Sequence, residues 1–166
     1  EYSSLKEKPE KWNEDLTTAN TLYCGFANVW KNTTGGSGSW TKLGTISTST
    51  VYVNAIAAVP TTNSQVIYAA KGGTLYRTTN GGTAWTAVTG LPAGGAISDI
   101  ACHPTDPQKA WVTYSGFNSA WKVYQTTNQG TSWTNISASM PNIPINCIAV
   151  DKNGNDAVYV GTDAGV

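Results

Sequence analysis

Thr78-Thr79-Asn80-Gly81-Gly82-Thr83-Ala84-Trp85 is written again, almost unchanged, as Thr126-Thr127-Asn128-Gln129-Gly130-Thr131-Ser132-Trp133. Both copies read Thr-Thr-Asn-x-Gly-Thr-x-Trp. Thr33-Thr34-Gly35-Gly36-Ser37-Gly38-Ser39-Trp40 aligns as a worn third copy, with Gly35 where the other two carry Asn. The closing tryptophans, Trp40, Trp85 and Trp133, recur at intervals of 45 and 48 residues. A period in that range points to a repeat architecture, in which each unit is one supersecondary element that buries its faces against its neighbours.

Outward from the octapeptide, the flanks repeat as well. Val29-Trp30-Lys31, Leu75-Tyr76-Arg77 and Val123-Tyr124-Gln125 precede the three turns as apolar, aromatic, polar triplets. Leu22-Tyr23-Cys24-Gly25, Ile67-Tyr68-Ala69-Ala70, Ala110-Trp111-Val112-Thr113 and Val158-Tyr159-Val160-Gly161 are four copies of an apolar-aromatic-small strand rich in β-formers. Asn54-Ala55-Ile56-Ala57-Ala58-Val59, Ser98-Asp99-Ile100-Ala101-Cys102-His103 and Asn146-Cys147-Ile148-Ala149-Val150-Asp151 each lead with one polar residue into a small, mostly apolar run that suits a strand covered on both faces. The unit is a four-stranded antiparallel meander, and no stretch carries a helical period. Within the octapeptide, the Asn side chain can accept from backbone N–H groups one or two residues on, and Gly82 and Gly130 can take φ > 0.

These residues resemble the Asp-box, or BNR, repeat of β-propeller proteins, whose pattern Ser/Thr-x-Asp-x-Gly-x-Thr/Ser-Trp forms a hairpin between the third and fourth strands of a blade. Thr78, Asn80, Gly82 and Trp85 match it, as do Thr126, Asn128, Gly130 and Trp133, with Asn in place of the family's Asp; of the worn copy, Trp40 matches. The resemblance covers residues 20–166. It implies an all-β fold, a partial β-propeller of about three to three and a half four-stranded antiparallel blades. Residues 1–19 read as the end of a preceding segment or blade, and the repeats fall at about 20–52, 53–96, 97–144 and an incomplete 145–166. Closed propellers have four to eight blades. The chain is therefore expected to be a fragment whose partners are the remaining blades of a longer chain or another copy.

The 166 residues carry ten basic and ten acidic side chains, a formal net charge of zero, and Arg77 as the sole arginine. Nothing resembles a basic stripe that would neutralise phosphates, so nucleic acid is excluded as a partner. No run approaches the roughly 18 apolar residues of a membrane span. The abundance of Thr, Ser, Asn, Gly and aromatics resembles extracellular β-rich proteins, which places the chain outside the cell or on its surface. Cys24, Cys102 and Cys147 occupy positions held by Ala69, Ala58 and Ala55 in sister repeats, and read as buried small hydrophobes with no disulfide framework.

Asp-box propellers include sialidases, xyloglucan-type endoglucanases, sortilin-like receptors, photosystem assembly factors and large secreted bacterial proteins, so the fold does not decide the function. A sialidase site needs three arginines for bidentate carboxylate capture, and this chain has one. Glycoside hydrolysis needs two carboxylates across a cleft. Of the repeat-borne acids Asp99, Asp106, Asp151, Asp156 and Asp163, Asp106 and Asp156 fall in connecting turns, and the catalytic candidate is Asp99, which replaces Ala55 and Cys147 on the innermost strand. Asp151-Lys152-Asn153-Gly154-Asn155-Asp156 misplaces its glycine for a calcium loop, and His103 reads as a loop residue with no acid at an activating spacing. No metal site and no cofactor are expected. The connection Ser115-Gly116-Phe117-Asn118-Ser119-Ala120-Trp121 is longer than its counterpart at Lys71-Gly72-Gly73-Thr74, which makes Phe117, Asn118 and Trp121 the binding candidates for a glycan or protein ligand.

The expectation is a non-catalytic scaffold or binding piece of a larger secreted or surface propeller. Its rival is a fragment of a polysaccharide-cleaving propeller of xyloglucanase or sialidase type, with acids on blades not in the chain. A piece of a sortilin-like receptor ranks third, because such receptors lead one to expect paired cysteines.

Overall fold

The triplets ahead of each octapeptide become third strands, and the apolar-aromatic-small segments become second strands, of successive sheets. The computed structural model describes residues 11–15, 20–62, 65–151 and 156–166. The first sheet runs β1 (Lys11–Asp15), β2 (Thr21–Gly25), β3 (Val29–Asn32), β4 (Thr41–Lys42). The second runs β5 (Val53–Ala58), β6 (Ile67–Lys71), β7 (Thr74–Thr78), β8 (Thr86–Ala87), and the third β9 (Ile97–Cys102), β10 (Ala110–Tyr114), β11 (Val123–Thr126), β12 (Thr134–Asn135). A fourth pairs β13 (Ile145–Val150) with β14 (Val158–Thr162). Every pairing is antiparallel between chain neighbours, and a single 3₁₀ turn at Pro60–Thr62 is the only helical element among the described residues. The fold is a partial β-propeller.

The first sheet reaches back past residue 20. Trp12 pairs with Cys24 and Asp15 with Thr21, so part of the segment read as the end of a preceding unit supplies this sheet's innermost strand. Lys-Trp-Asn-Glu-Asp carries none of the small apolar pattern that marks β5, β9 and β13. Residues 63, 64 and 152–155, within two of the turns read from sequence, and residues 1–10 and 16–19 lie outside the described residues.

Both faces of each inner sheet are covered. One apolar cluster fills the gap between the first and second sheets, with Tyr23, Val29, Leu43, Ile56 and Ile67. A second, between the second and third, joins Ala57, Tyr68, Ala70, Val112 and Tyr114, and a third joins Trp111 and Val123 to Ile145 and Ile148. The alternation along β6, Tyr68 and Ala70 one way, Ile67 and Ala69 the other, is the period-2 geometry of a strand between two layers.

The polar residue that leads each inner strand has a specific place. The β5–β6 register skips between Val53 and Ala55, the β13–β14 register between Ile145 and Cys147, and β9–β10 shifts between Thr113 and Tyr114, whose partners are Asp99 and Ile97. The bulged residues are thus Asn54, Ser98 and Asn146. A bulge leaves one residue outside the ladder, and a polar side chain there makes its own bonds. Asn54 Oδ1 accepts from Gly72 N at 2.8 Å while its Nδ2 donates to Ile97 O, Ser98 Oγ meets Thr113 Oγ1 at 2.9 Å, and Asn146 Nδ2 donates to Asp163 Oδ1 at 2.8 Å.

The octapeptide hairpins are built on two acceptors. Thr78 Oγ1 accepts from Gly82 N at 3.0 Å and Asn80 Oδ1 from Ala84 N at 2.9 Å; Thr126 and Asn128 repeat this with Gly130 N at 2.8 Å and Ser132 N at 2.9 Å. In the first repeat the register is one residue off the alignment. Asn32, buried like Thr78 and Thr126, takes the threonine's place, its Oδ1 accepting from Thr34 N at 2.9 Å and Gly36 N at 2.7 Å. Gly35 therefore corresponds to Gly81, not Asn80, and Trp40 stands one residue further from its acceptor than Trp85 does. An amide can do a hydroxyl's accepting, and the extra residue is absorbed at the hairpin tip.

These hairpins dock on the preceding sheet. Trp85 Nε1 donates to Leu43 O at 2.8 Å, Arg77 donates to Gln129 O, and Trp133 meets Tyr68 edge to face at a centroid distance of 6.2 Å. Trp85 and Trp133 are half-buried rather than fully covered.

The cysteines divide. All three are free. Cys24 is buried, and loss of solvation pushes its thiol up to about 11. Cys102 is half-buried with its thiol pushed up to about 12. Cys147, expected inside, is exposed: its counterparts Ala55 and Asp99 face a following sheet, whereas among the described residues none packs on this side of the two-stranded fourth sheet.

Gly82 shows how tight the docking is. Its φ is +91°, and a Cβ there would sit 2.6 Å from Leu43 Cβ. Gly82→Ala is expected to cost about 3 kcal/mol or more by adding strain and a clash. Gly90→Ala, at φ +83° with nothing within 4 Å, is expected to cost only about 1 kcal/mol. Urea denaturation midpoints of the two variants check the difference.

Candidate functional site

Antiparallel meanders put two sets of connections at opposite ends. One end carries the octapeptide hairpins and the turns between first and second strands. The other carries the turns between second and third strands, at 26–28, 72–73 and 115–122, and the linkers between sheets, at 43–52, 88–96 and 136–144. Linkers and loops are held together there by two buried lysines. Lys71 Nζ donates to Ala27 O at 2.7 Å and Ser49 O at 2.8 Å; Lys122 Nζ donates to Gly116 O and Ile143 O, both at 2.7 Å. Neither meets a carboxylate in these bonds, and burial lowers both amines from the usual lysine value.

The long connection in the third sheet projects from this end. Asn118 Oδ1 accepts from Ala120 N at 3.0 Å and Asn118 O from Trp121 N at 3.2 Å, closing a turn. Ser115 N bonds Ala96 O at 3.0 Å, and Asn135 Nδ2 bonds Ala120 O at 2.6 Å. Of the three binding candidates, Phe117 is 74% exposed and Asn118 is exposed, whereas Trp121 lies half-buried against the second apolar cluster. Beside the loop opens a shallow hollow of about 590 Å³ lined by Ser119, Asn135, Ser137 and Met140 among others.

Asp99 sits between sheets. Its Oδ1 accepts from Ile100 N at 3.0 Å and its Oδ2 from Ile148 N of the next inner strand at 3.1 Å. Both oxygens are committed to main chain, an arrangement that ties β9 to β13 and leaves no lone carboxylate aimed at a cleft.

At the hairpin end the fold assembles a cluster that the sequence did not reveal. His103 is buried, its Nδ1 accepting from Thr105 N at 3.2 Å and Asp106 N at 2.8 Å, which turns Nε2 toward Asp156 Oδ1 at 3.2 Å. Lys109 Nζ bonds Asp156 Oδ2 at 2.6 Å and lies 3.6 Å from Asp106 Oδ2. The histidine and its acid are 53 residues apart in the chain, beyond any spacing motif. With Nδ1 spent on main chain, the ring clamps a turn rather than activating a nucleophile. Among the described residues no group of three His, Cys, Asp or Glu is placed to hold a metal ion.

The Lys109 hydrogen bond holds the Asp156 carboxyl below the usual carboxylate range, helped by the charge of Lys109 and of His103 and opposed by desolvation. A depressed folded value gives stability that is fully present above the unfolded value of 3.8 and lost as pH falls through the folded one. Asp156→Asn is therefore expected to lower stability at pH 7 and to flatten its decline below about pH 4. Urea midpoints against pH read both effects.

With this geometry in view, likeness to known proteins is informative about fold and family. An ancestral GH74 enzyme is 22% identical, with a TM-score of 0.74 over 93% of this chain and 22% of its own. The GH74 enzyme of Niastella koreensis is 20% identical, with a TM-score of 0.71 over 95% of this chain and 26% of its own. YCF48 from Cyanidioschyzon merolae is 17% identical, with a TM-score of 0.68 over 90% and 46%. The chain spans about a quarter of the GH74 enzymes it resembles, and at these identities the likeness is one of fold. No curated protein gives a significant match. Among the described residues no helix is long and apolar enough to cross a membrane. A family model described as sortilin, neurotensin receptor 3, matches residues 27–165. That match runs along the repeats, where the paired cysteines expected of a sortilin-like receptor piece play no part. The chain belongs to the Sortilin-Vps10 family.

Proposed function

We propose that this chain is a non-catalytic scaffold and recognition piece of a larger secreted or surface-displayed propeller, its missing partners being further blades. The observation that supports this most is the contrast between its acids and its loops. Asp99, Asp106, Asp156 and Asp163 are each engaged by main chain, lysine, histidine or amide. Phe117, by contrast, stands out in solvent on a loop pinned at both ends by Ser115 and Lys122. A rigid loop with an exposed aromatic is a recognition device, since the ring contributes contact area at small entropic cost. The ligand is a glycan or protein surface.

The rival reading is a fragment of a polysaccharide-cleaving enzyme, supported by the likeness of more than nine-tenths of the chain to GH74 folds. Release of reducing ends from xyloglucan separates the two. The chain is expected to release none, and turnover abolished by Asp99→Ala would overturn the scaffold reading. On a glycan array, Phe117→Ala is expected to weaken any binding about tenfold, the equivalent of about 1.4 kcal/mol.

A further inference from the structure

Charge is distributed unevenly between the two ends of the molecule. Segments 26–28, 43–52, 72–74, 88–96, 115–121 and 136–144 contain no Asp, Glu, Lys, Arg or His. Of the lysines rooted beside them, Lys71 and Lys122 are buried with their amines turned to main-chain carbonyls, and Lys42 is exposed with its amine on Thr45 Oγ1 at 3.2 Å. Asp163 lies in the corresponding turn of the fourth sheet, bonded to Asn146. The opposite end holds Arg77, His103, Asp106, Lys109 and Asp156. The loop end is instead rich in Ser, Thr and Gly, and carries three of the exposed large apolar side chains: Val51 at 52%, Tyr52 at 46% and Phe117 at 74%.

Those residues are joined by a floor that lacks side chains. Val51 Cγ1 lies 3.9 Å from where a Cβ on Gly72 would be, a Cβ on Gly73 would fall on the carbonyl oxygen of Gly95, and a Cβ on Gly95 would meet Tyr114 at 2.8 Å and Trp121 at 3.3 Å. The strip is held in place, with Gly72 N on Asn54 Oδ1 at 2.8 Å and Gly72 O accepting from Ile97 N at 3.0 Å. A line of contact therefore runs from the first linker, over two glycine turns, to the loop that bears Phe117.

We propose that Tyr52 and Phe117 flank one binding surface for an uncharged polysaccharide, laid along the Gly72-Gly73-Gly95 strip. This rests on the recognition role proposed above, and adds to it a second aromatic from another blade and a ligand class. Sugar rings present C–H faces that stack on aromatics and hydroxyls that bond main-chain amides and Ser or Thr side chains. A charged partner, whether an acidic glycan or a charged peptide, finds one exposed cation here, Lys42 bonded to Thr45, and no cluster of charge, whereas charge complementarity is what selects such partners.

The test is affinity electrophoresis of the 166-residue chain in gels containing hydroxyethylcellulose or galactomannan, which are neutral, or carboxymethylcellulose or polygalacturonate, which are anionic. Retention by at least one neutral polymer is expected, with Tyr52→Ala and Phe117→Ala each weakening it about fivefold or more. Both side chains are exposed, so unchanged urea midpoints will certify folding. Loss in Phe117→Ala with no change in Tyr52→Ala would overturn the two-blade surface while leaving the recognition role standing. Equal or stronger retention by the anionic polymers would overturn the ligand class. Retention by no polymer would overturn the proposal as a whole while leaving the recognition role standing, since that role also admits a protein ligand.

Discussion

A strand with large apolar side chains on both faces cannot be left in water on either, and that requirement organises the molecule. Tyr68 and Ala70 look toward the third sheet while Ile67 and Ala69 look back at the first. Burial at roughly 25 cal/mol per Å² rewards stacking sheet on sheet and makes an isolated blade a poor folding unit. The hairpins follow from the same need. Their glycines and tryptophans let the outer edge of one sheet close onto the one before, where Gly82 meets Leu43 with no room for a methyl group.

The repeat period and the strand types were legible because they are written in residue chemistry that a strand demands locally: β-branched and aromatic residues in alternation, Gly and Asn at turns. The shifted first hairpin was not, since Asn32 and Thr78 share no side-chain class and are matched only by what their oxygens accept. The bulges were half legible. A lone polar residue at the head of Asn54-Ala55-Ile56 was visible, but that it leaves the ladder and spends its amide on the next sheet is a matter of register.

The candidate site divides in the same way. Phe117 could be found from the length and composition of its loop. Trp121, named beside it, is half-buried against the second apolar cluster, where the missing side chain of Gly95 gives its ring a place to lie. Asp99 stood out as an acid among small residues, and its environment explains the substitution: two main-chain N–H groups, one from the next sheet, are bonded by a carboxylate that Ala55 could not supply. His103 and Asp156 meet through tertiary folding alone, as do Lys71 and Lys122 with their carbonyls.

The bonds that tie one sheet to the next share a property. Leu43 to Trp85, Asn54 to Ile97, Asp99 to Ile148 and Arg77 to Gln129 each join residues separated by about the length of one repeat. Closing a loop of that size costs an entropy that grows only as the logarithm of its length, and none of these ties waits for a distant part of the chain. Assembly can therefore follow synthesis, each blade settling on the finished one behind it as it emerges. For the same reason the cost of adding a blade does not depend on how many precede it, so such a chain can lengthen by duplication without renegotiating the contacts already made.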